Sequence, residues 1–436
     1  MKKFVVISGL MLFSLFFGAG NLIFPPMLGH LSGSSVWFAM LGFMVTGILL
    51  PCLAVIIVAY YNEGVESIGN RIHPIFGVTF AFIVYLTAGA FYGIPRASNV
   101  AYEIGVAPIL PVQNTFTLIG FAGVFFAVVT FLALFPTRIM DILGKYLTPI
   151  LLIIIGILCV LAIVNAHHAP GIVQGKFASQ PVLNGVLEGY YTMDVLAALI
   201  FSVVVVNQFK GQGMTSARQV TLRVLQAAVI AAVLLGTVYM ALAWMGAVTP
   251  SSHMIKNGTA ILTLQSTQVF GMFGYYLFAL IVVLACLTTC VGLITACASF
   301  TLHYIPKLGY RRLVLIFSML GLVFTTFGLN MILSIAEPIL LFIYPIAIVL
   351  VLVSLINMIF TYRLRWAYIL PTMVTMVLSI IQVALTFKIE IPWFTSLYEQ
   401  MPLAPAQLGW LIPFLICMIL GLMIDFTLQK RRVFTT

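Results

Sequence analysis

The densest group of residues able to bind a ligand lies near the start of the chain, at Gly18–Asn21, inside a long apolar run. Pro25 and Pro26 follow closely. Glycine permits non-helical backbone, whereas proline supplies no N–H and restricts the residue before it. An interruption here frees backbone N–H groups for anions and carbonyls for cations. The segment predicts a broken helix that forms a binding site.

A purely structural role for this segment is the alternative. Small residues such as Gly18 and Gly20 let helices approach closely, and a Gly/Pro kink needs no ligand. The density of the cluster favours the binding site, because the amide side chain of Asn21 is added to two glycines and two prolines.

The segment Gly189–Asp194 offers a second interruption of the same kind. Two tyrosines and a threonine separate its glycine from Asp194, and a continuous apolar run follows. An ionisable side chain well inside an apolar span marks a functional site by default. The alternative is a structural carboxylate at the outer end of the span, because the start of this span is poorly defined.

A third pattern is the run Ala285–Thr289. Residues at positions i, i+3 and i+4 share one helix face, so the carbonyl of Ala285 and the hydroxyls of Thr288 and Thr289 would face one point. Hard cations such as Na⁺ prefer oxygen ligands of this kind. The alternative is that the threonines bond back to their own helix, as membrane threonines usually do.

Two further charges lie in apolar surroundings. Arg96 is near the outer end of the third apolar span, and Glu337 is in the outer part of the tenth. Buried ions are usually paired, so the opposite signs and similar depths predict an outer gate formed by this pair. The alternative is that Arg96 extends to the interface while Glu337 caps a kink.

Membrane-spanning helices must position all of these residues. The chain of 436 residues is 63% hydrophobic and 7% charged, with a mean hydropathy of +1.19. A soluble protein carries about 25% charged residues. Its apolar runs are continuous and much longer than the roughly ten-residue alternating segments of a membrane β-barrel. The sequence therefore predicts an all-α membrane protein with twelve transmembrane helices. These predicted spans are 4–28, 36–60, 75–101, 116–135, 138–165, 182–209, 221–248, 268–304, 313–329, 332–360, 366–387 and 408–428.

The distribution of basic residues gives the orientation of these spans. With the N-terminus in the cytoplasm, sixteen of the twenty Lys and Arg residues fall on the cytoplasmic side. Lys176, Lys256 and Lys388 fall in outer loops, and Arg96 remains within its span. A missed helix would scramble this pattern, so we expect both termini in the cytoplasm. The same orientation explains the net charge of +10 without a nucleic-acid partner.

The composition predicts neither an enzyme nor a metalloprotein. All six cysteines lie in apolar runs, and no His/Cys group has metal-site spacing. Lys2 and Lys3 precede an apolar stretch of about 25 residues, too long for a signal-peptide core. The sequence has no Walker motif and leaves no room for a soluble domain. We expect no cofactor, and an ion gradient or a partner chain as the energy source.

Two runs resemble those of a known family. Phe16–Pro26 is similar to the hallmark first-helix sequence of the bacterial branched-chain amino acid:cation symporters, and Glu188–Asp194 resembles their sixth helix. The likeness covers essentially the whole chain, including the twelve-helix plan. It implies a leucine-transporter-like fold and import of Leu, Ile and Val with Na⁺ or H⁺ across the bacterial cytoplasmic membrane.

The resemblance also implies the organisation of the chain as one polytopic transporter domain, 1–436. A first inverted repeat of five helices would span 1–165 and a second would span 182–360. Two accessory C-terminal helices would follow at 366–428.

The resemblance implies a substrate site at the two interruptions. Freed amides of the first helix hold the substrate carboxylate in related transporters, which points to Ala19 and Gly20. Tyr191 and Thr192 match an aromatic-Thr run of the sixth helix. Asp194 departs from sodium-coupled relatives, which often carry a small polar residue there, so this acid could itself bind a cation or carry a proton. The substrate-binding residues expected are Gly18, Ala19, Gly20, Asn21, Tyr191, Thr192 and Asp194.

The resemblance further implies a cation site, because the leucine-transporter fold holds sodium between the first and eighth helices. This favours the ion-binding interpretation of the eighth span over back-bonding. The expected ligands are carbonyls around Ser14 and Phe17, together with Ala285, Thr288 and Thr289. An apolar pocket for the substrate side chain would involve Phe16, Phe17, Tyr191 and residues of the third and eighth spans.

Other classes of membrane protein fit less well. A major facilitator would carry a Gly-x-x-x-Asp-Arg signature between its second and third helices, whereas the segment Tyr61–Ser67 reads YNEGVES. A membrane enzyme would need paired catalytic groups, and Asp194, Glu337 and Arg96 form no such constellation. No obligatory protein partner is predicted. Transport of another small neutral solute, or a permease subunit of a larger complex, remains the alternative.

Overall fold

The computed structural model describes residues 2–61, 64–135, 141–164, 169–214, 216–250, 258–360, 364–387, 389, 396 and 398–435. For a few helical residues in these ranges, including Ala19 and Glu337, it describes the backbone alone. This part of the chain is almost entirely helical and contains no β-strand. The all-α membrane fold predicted from the hydropathy is confirmed.

The helices used below are numbered in chain order. They are α1 (Lys2–Phe16), α2 (Ala19–Ser32), α3 (36–61), α4 (Glu66–Gly69), α5 (Pro74–Ile109), α6 (Thr115–Ala133), α7 (141–164), α8 (Pro181–Tyr191), α9 (Asp194–Gly211), α10 (Ala217–Ala247), α11 (Gly258–Phe270), α12 (Met272–Tyr304), α13 (Tyr310–Thr325), α14 (Leu329–Asn357), α15 (Trp366–Thr386) and α16 (Leu411–Thr435).

Each predicted span overlaps one of these helices or a broken pair of them. Within the described ranges, ten helices are long and apolar enough to cross a bilayer. The count becomes eleven if α13 and the start of α14, which meet at 109°, form one span. The number falls below twelve because α1 is too short to count alone, while α2 continues into α3 without a break at 20–61. The repeat boundaries 1–165, 182–360 and 366–428 stay a prediction.

The two broken helices pack against the centre of the bundle. The second half of the first broken helix, α2, packs mainly on α10, and its first half, α1, contacts α9, α10 and α12. The second broken helix packs through α8 on α3. Gly42 and Gly185 lie at this crossing, where a Cβ on either residue would collide with the backbone of the other helix. Small residues therefore allow the close approach that fixes the second break in the bundle.

The last two helices form a separate layer. The helix α15 packs on α14 and α16. From α16 the buried carboxylate of Asp425 accepts hydrogen bonds from the backbone N–H groups of Arg365, Trp366 and Ala367, at 2.9, 3.1 and 3.0 Å. The first N–H groups of a helix have no partner within it, so Asp425 of α16 caps the N-terminus of α15.

Candidate functional site

The first helix breaks at Phe17 and Gly18. The N–H of Phe17 still bonds the carbonyl of Phe13 at 2.7 Å, α1 ends at Phe16, and α2 begins at Ala19. The break therefore lies at the start of the predicted segment, and Asn21 belongs to α2. The two prolines, taken from the sequence as part of the interruption, lie inside α2. A membrane helix tolerates proline where neighbouring helices satisfy the backbone.

Gly18 is required by the space around it. Its backbone is extended, at φ −104° and ψ −167°, a conformation open to other residues. A Cβ on Gly18 would lie 2.9 Å from the Oγ1 of Thr289, closer than two such atoms can approach. The missing side chain thus lets the first break pack directly against α12.

The second broken helix separates at Thr192 and Met193. The helix α8 ends at Tyr191, and α9 begins at Asp194. Met193 has a left-handed backbone, at φ 58° and ψ 27°, which costs an L-residue about 1–2 kcal/mol. The second interruption predicted in Gly189–Asp194 is therefore present. The carboxylate of Asp194 lies in the first turn of α9, and its side chain is buried.

Asn21 joins the two breaks. Its Nδ2 donates to the carbonyl of Phe16 at 2.5 Å, at the end of α1, and to Oδ1 of Asp194 at 3.4 Å, at the start of α9. Two side-chain oxygens beside this bond, Oδ1 of Asn21 and Oδ2 of Asp194, are buried and have no hydrogen-bond partner among the described residues. A buried acceptor is costly to leave unpaired, so these two oxygens would be stabilised by a donor from a ligand.

Arg96 lines the same cavity, opposite the start of α2. Its Nη1 donates to the hydroxyl of Tyr92 at 2.6 Å, and its Nη2 lies 3.3 Å from the position that a Cβ on Gly20 would occupy. The sequence put Arg96 near the outer end of the third span. Because α5 continues to Ile109, the arginine is instead at the level of the first break. The Glu337 side chain lies outside the described residues, so a gate between these two stays a prediction.

Arg96 and Asp194, the two charged residues that line this cavity, do not contact each other as an ion pair. An ion pair does form outside the cavity, where Lys176 contacts Glu188 at 3.1 Å. Arg96 and Asp194 thus line one cavity with opposite charges but form no ion pair with each other. Such an arrangement suits a ligand that carries both charges, since each end would meet its opposite.

The cavity between the breaks has a volume of about 90 Å³, whereas one water molecule needs about 10–15 Å³. Its polar wall is formed by Gly18, Gly20, Asn21, Thr192 and Asp194 together with Tyr92, Arg96 and Thr289. Its apolar wall is formed by Leu15, Phe16, Ala88, Ala97, Met193, Leu196, Ala197, Phe201, Leu293 and Leu340, with Gly93.

Two residues expected in the apolar pocket do not line this cavity. The ring of Phe17 is fully buried and stacks on Phe13, with centroids 5.1 Å apart, because Phe17 keeps the helical hydrogen bond that turns it away. Tyr191 packs edge-to-face on Tyr190 at 5.8 Å. Thr192 does line the cavity, but its hydroxyl donates to the carbonyl of Gly189 at 2.7 Å. The backbone of Ala19 begins α2, and its side chain lies outside the described part.

A cluster of oxygen atoms lies beside the cavity, between α1 and α12. The hydroxyl of Thr288 donates to the carbonyl of Ala285 at 2.9 Å, which is the bond back to its own helix that the sequence offers as the alternative, and it is also 3.0 Å from the carbonyl oxygen of Ser14 on α1. The hydroxyl of Thr289 is 3.4 Å from the carbonyl oxygen of Leu15. The structure therefore brings together Ser14, Ala285, Thr288 and Thr289 from distant parts of the sequence.

Arg96, Phe201 and Leu340 were not assigned to this cavity from the sequence. The charge of Arg96 is a visible signal in the sequence, whereas its depth depends on where α5 ends. Phe201 and Leu340 lie in continuous apolar runs and carry no signal, because most of their neighbours in these buried membrane helices are apolar as well.

Comparison with known proteins agrees with this architecture. The family model described as "Branched-chain amino acid transport protein" matches residues 1–428. The branched-chain amino acid permease BrnQ of Bacillus subtilis is 39% identical over 415 residues, covering 94% of each chain. The permease of the same name from Corynebacterium glutamicum is 40% identical over 424 residues, covering 97% of this chain and 96% of the relative.

Solved structures give the fold. The manganese transporter of Eremococcus coleocola aligns with a TM-score of 0.61 at 14% identity, covering 97% of this chain and 95% of that one. A nucleobase-cation-symport-1 family transporter in a closed conformation aligns with a TM-score of 0.55 at 13% identity, covering 96% and 91%. Both have the leucine-transporter-like fold that the family resemblance implies.

The family and the relatives are named as transport proteins, in agreement with the prediction that the chain is not an enzyme. The long apolar helices account for the membrane location, and the two broken helices form the central cavity between their breaks. This chain belongs to the family of branched-chain amino acid transport proteins.

Proposed function

We propose that this chain is a secondary active symporter that imports Leu, Ile and Val, with Na⁺ as the coupling ion. The observation that carries the proposal is the pair of opposite charges, Arg96 and Asp194, which line one cavity without forming an ion pair. A free amino acid is a zwitterion and supplies one charge to each.

The carboxylate of the substrate would lie between Arg96 and the start of α2. The guanidinium lies close to Gly20, and the first N–H groups of a helix have no partner within it. The helix dipole adds about half a positive charge at this end. An arginine and a helix N-terminus together form a site for a small carboxylate.

The ammonium group would lie at the second break. Oδ2 of Asp194 and Oδ1 of Asn21 are the buried acceptors without partners there. Asn21 is held in place because its own N–H₂ group already bonds both breaks. An ammonium has three donors and can satisfy both oxygens.

The side chain of the substrate would contact the apolar wall, which includes Phe16, Phe201 and Leu340. An apolar pocket discriminates one methylene by only about 1–3 kcal/mol. One carrier shared by Leu, Ile and Val is therefore physically natural.

The coupling ion would lie in the oxygen cluster between α1 and α12. Ser14, Ala285 and Thr288 supply oxygen atoms that are already close together, and Na⁺ prefers such ligands. A proton carried by Asp194 is the second candidate, favoured by the buried, unpaired oxygen of that carboxylate. In both cases the chain would lie in the bacterial cytoplasmic membrane with its termini in the cytoplasm.

Leucine uptake by proteoliposomes that hold this chain alone, without ATP, tests the proposal. We expect uptake under an imposed inward Na⁺ gradient and little uptake under an imposed pH gradient. Uptake driven by the pH gradient alone would identify H⁺, and not Na⁺, as the coupling ion. Asp194 would then be the candidate proton carrier. No uptake under either gradient would contradict symport and favour a permease subunit that needs a partner.

The variant Thr288→Val locates the ion, since it keeps the shape of the side chain and removes its hydroxyl. We expect the Na⁺ concentration for half-maximal uptake to rise about tenfold, the effect of losing one charged contact of about 1.5 kcal/mol. Thr301→Val, further along the same helix, is the matched control and should leave this concentration unchanged. An unchanged value in Thr288→Val would remove the oxygen cluster from the ion site.

A further inference from the structure

An apolar groove lies on the outer surface of the bundle, on the far side of α5 and α14 from the central cavity. It has a volume of about 200 Å³ and lies at the corner where α13 and α14 meet at 109°. Its walls come from α5, from the corner and from α14, and include Thr87, Phe91, Phe324, Phe327, Ala336 and Ile339.

Among the side chains that the structure describes, Thr87 is the one polar group that lines the groove, and its hydroxyl already donates to the carbonyl of Ile83 at 2.6 Å. Three aromatic rings form one wall: Phe324 packs edge-to-face on Phe91 at 5.1 Å and on Phe327 at 5.5 Å. Apolar cavities of about 150 Å³ stay dry and take up apolar molecules. The described lining of this groove therefore suits an apolar occupant.

The depth of the groove identifies the source of that occupant. Thr87 and Phe91 face the groove, while Ala88 and Tyr92, next to them in the chain, line the central cavity. The groove is thus level with the helix breaks, near the middle of the bilayer, where lipid tails surround the protein. Phe327, Ile335 and Ile339 are 47%, 57% and 41% exposed, so the groove is continuous with the apolar surface that faces the lipid.

We propose that this groove binds one acyl chain of a membrane phospholipid and that its occupancy is coupled to the substrate cavity. The coupling part rests on the proposed function, whereas acyl-chain binding does not.

The coupling follows from two wall segments that the groove and the cavity share. On α14, Ile339 faces the groove and Leu340 faces the cavity. On α5, the shared segment is π-helical over Tyr85–Gly93, a form that often marks functional positions. An acyl chain in the groove contacts both segments and so sets the distance between them. Because coupling between two sites is reciprocal, substrate binding must change the occupancy of the groove by the same factor.

The test uses the full-length chain in nanodiscs that contain phosphatidylcholine with a diazirine in the middle of one acyl chain. After photolysis, the labelled peptides are mapped by mass spectrometry. We expect label on Phe327, Ile335 and Ile339. Ala336→Phe fills the groove and should lower this label about fivefold, since a packed volume admits no second occupant. Ala127→Phe makes the same change on the exposed face of α6 and should leave the label unchanged.

Ile335→Phe narrows the mouth of the groove and serves as a second filling variant, so that misfolding of one variant does not decide the result. Equal labelling of the groove and of other lipid-facing surfaces would overturn the site. Covalent dimers through these residues, in place of lipid adducts, would also overturn it and assign the face to a second copy of the chain.

Saturating leucine tests the coupling. We expect leucine to change groove labelling about fivefold in either direction, the lower end of usual couplings between sites. Leucine binding is measured on the same nanodiscs with radiolabel. Binding without a change in labelling would overturn the coupling and leave the proposed function intact. Absence of leucine binding would count against the proposed function, while the groove labelling would still test the lipid site.

Discussion

The two helix breaks that meet at the cavity are made in different ways. At the first, Gly18 has an extended backbone that imposes no strain, and glycine is needed because a Cβ would meet Thr289. At the second, Met193 keeps a full side chain and adopts a left-handed backbone instead. One break therefore depends on a missing side chain and the other on a strained residue.

The two breaks also differ in charge. The start of α2 faces the guanidinium of Arg96, so positive potential is concentrated there. The start of α9 carries its own carboxylate, Asp194, which offsets the dipole of that helix. Similar interruptions thus give opposite polarity, and the difference suggests how one small cavity can orient an amino acid by its two ends.

The largest expected effect comes from removing the charge at the second break. Asp194→Asn keeps an oxygen that can accept from Asn21 but leaves a substrate ammonium without its counter-charge. Losing one partner of a buried charge pair costs about 2–5 kcal/mol, so leucine uptake should fall about thirtyfold or more. Initial rates of uptake in proteoliposomes measure this. Glu188→Gln, which changes a carboxylate outside the cavity, is the control and should stay within about twofold.

Substrate analogues sharpen the assignment of charges. Leucinamide lacks the carboxylate, and isocaproate lacks the ammonium group. Asp194→Asn should weaken competition by leucinamide and leave competition by isocaproate unchanged. If Asp194→Asn weakens competition by both analogues equally, Asp194 does not contact the ammonium group.

The next effect tests the space at the first break. Gly18→Ala inserts a Cβ 2.9 Å from Oγ1 of Thr289, and overpacking of this kind costs about 1–3 kcal/mol. We expect leucine uptake to fall about tenfold. Thr289→Ala removes the colliding Oγ1 and leaves the Cβ of residue 289 at 3.6 Å, an ordinary contact. The double variant should therefore match Thr289→Ala alone.

Gly123→Ala on α6 is the matched control for Gly18→Ala, because a Cβ there meets nothing within 4 Å. A double variant as inactive as Gly18→Ala would show that this glycine is needed for its backbone conformation and not for space.

The smallest effect concerns strain at the second break. Asn tolerates a left-handed backbone, whereas a β-branched residue does not. Thermal unfolding in detergent should show Met193→Val less stable than Met193→Asn by about 1–2 kcal/mol. Equal stability of the two variants would mean that residue 193 relaxes out of the left-handed region, and the contrast between the breaks would disappear.

Much of the candidate site could be predicted from particular residues. Asn21 and Asp194 are polar groups in apolar runs, and they meet at 3.4 Å. The helical spacing of Thr288 and Ala285 predicts that they share a face, and the hydroxyl does bond that carbonyl, whereas the contact with Ser14 comes from a distant helix and the ion itself stays a prediction. Phe17 was predicted less well, because its ring direction depends on one retained hydrogen bond to Phe13. A shift of one residue in a break turns a side chain by about 100°.

The sequence by itself determined the solvent, the helices and the interruptions. With 7% charged residues the chain must be surrounded by lipid, and in lipid the helix is the structure that satisfies the backbone. Only the tertiary structure decided which atoms face one another: Arg96 against Gly20, Thr289 against Gly18, and Leu340 in the cavity wall. Those contacts depend on the length and packing of distant helices, whereas hydropathy and glycine content are local properties of the chain.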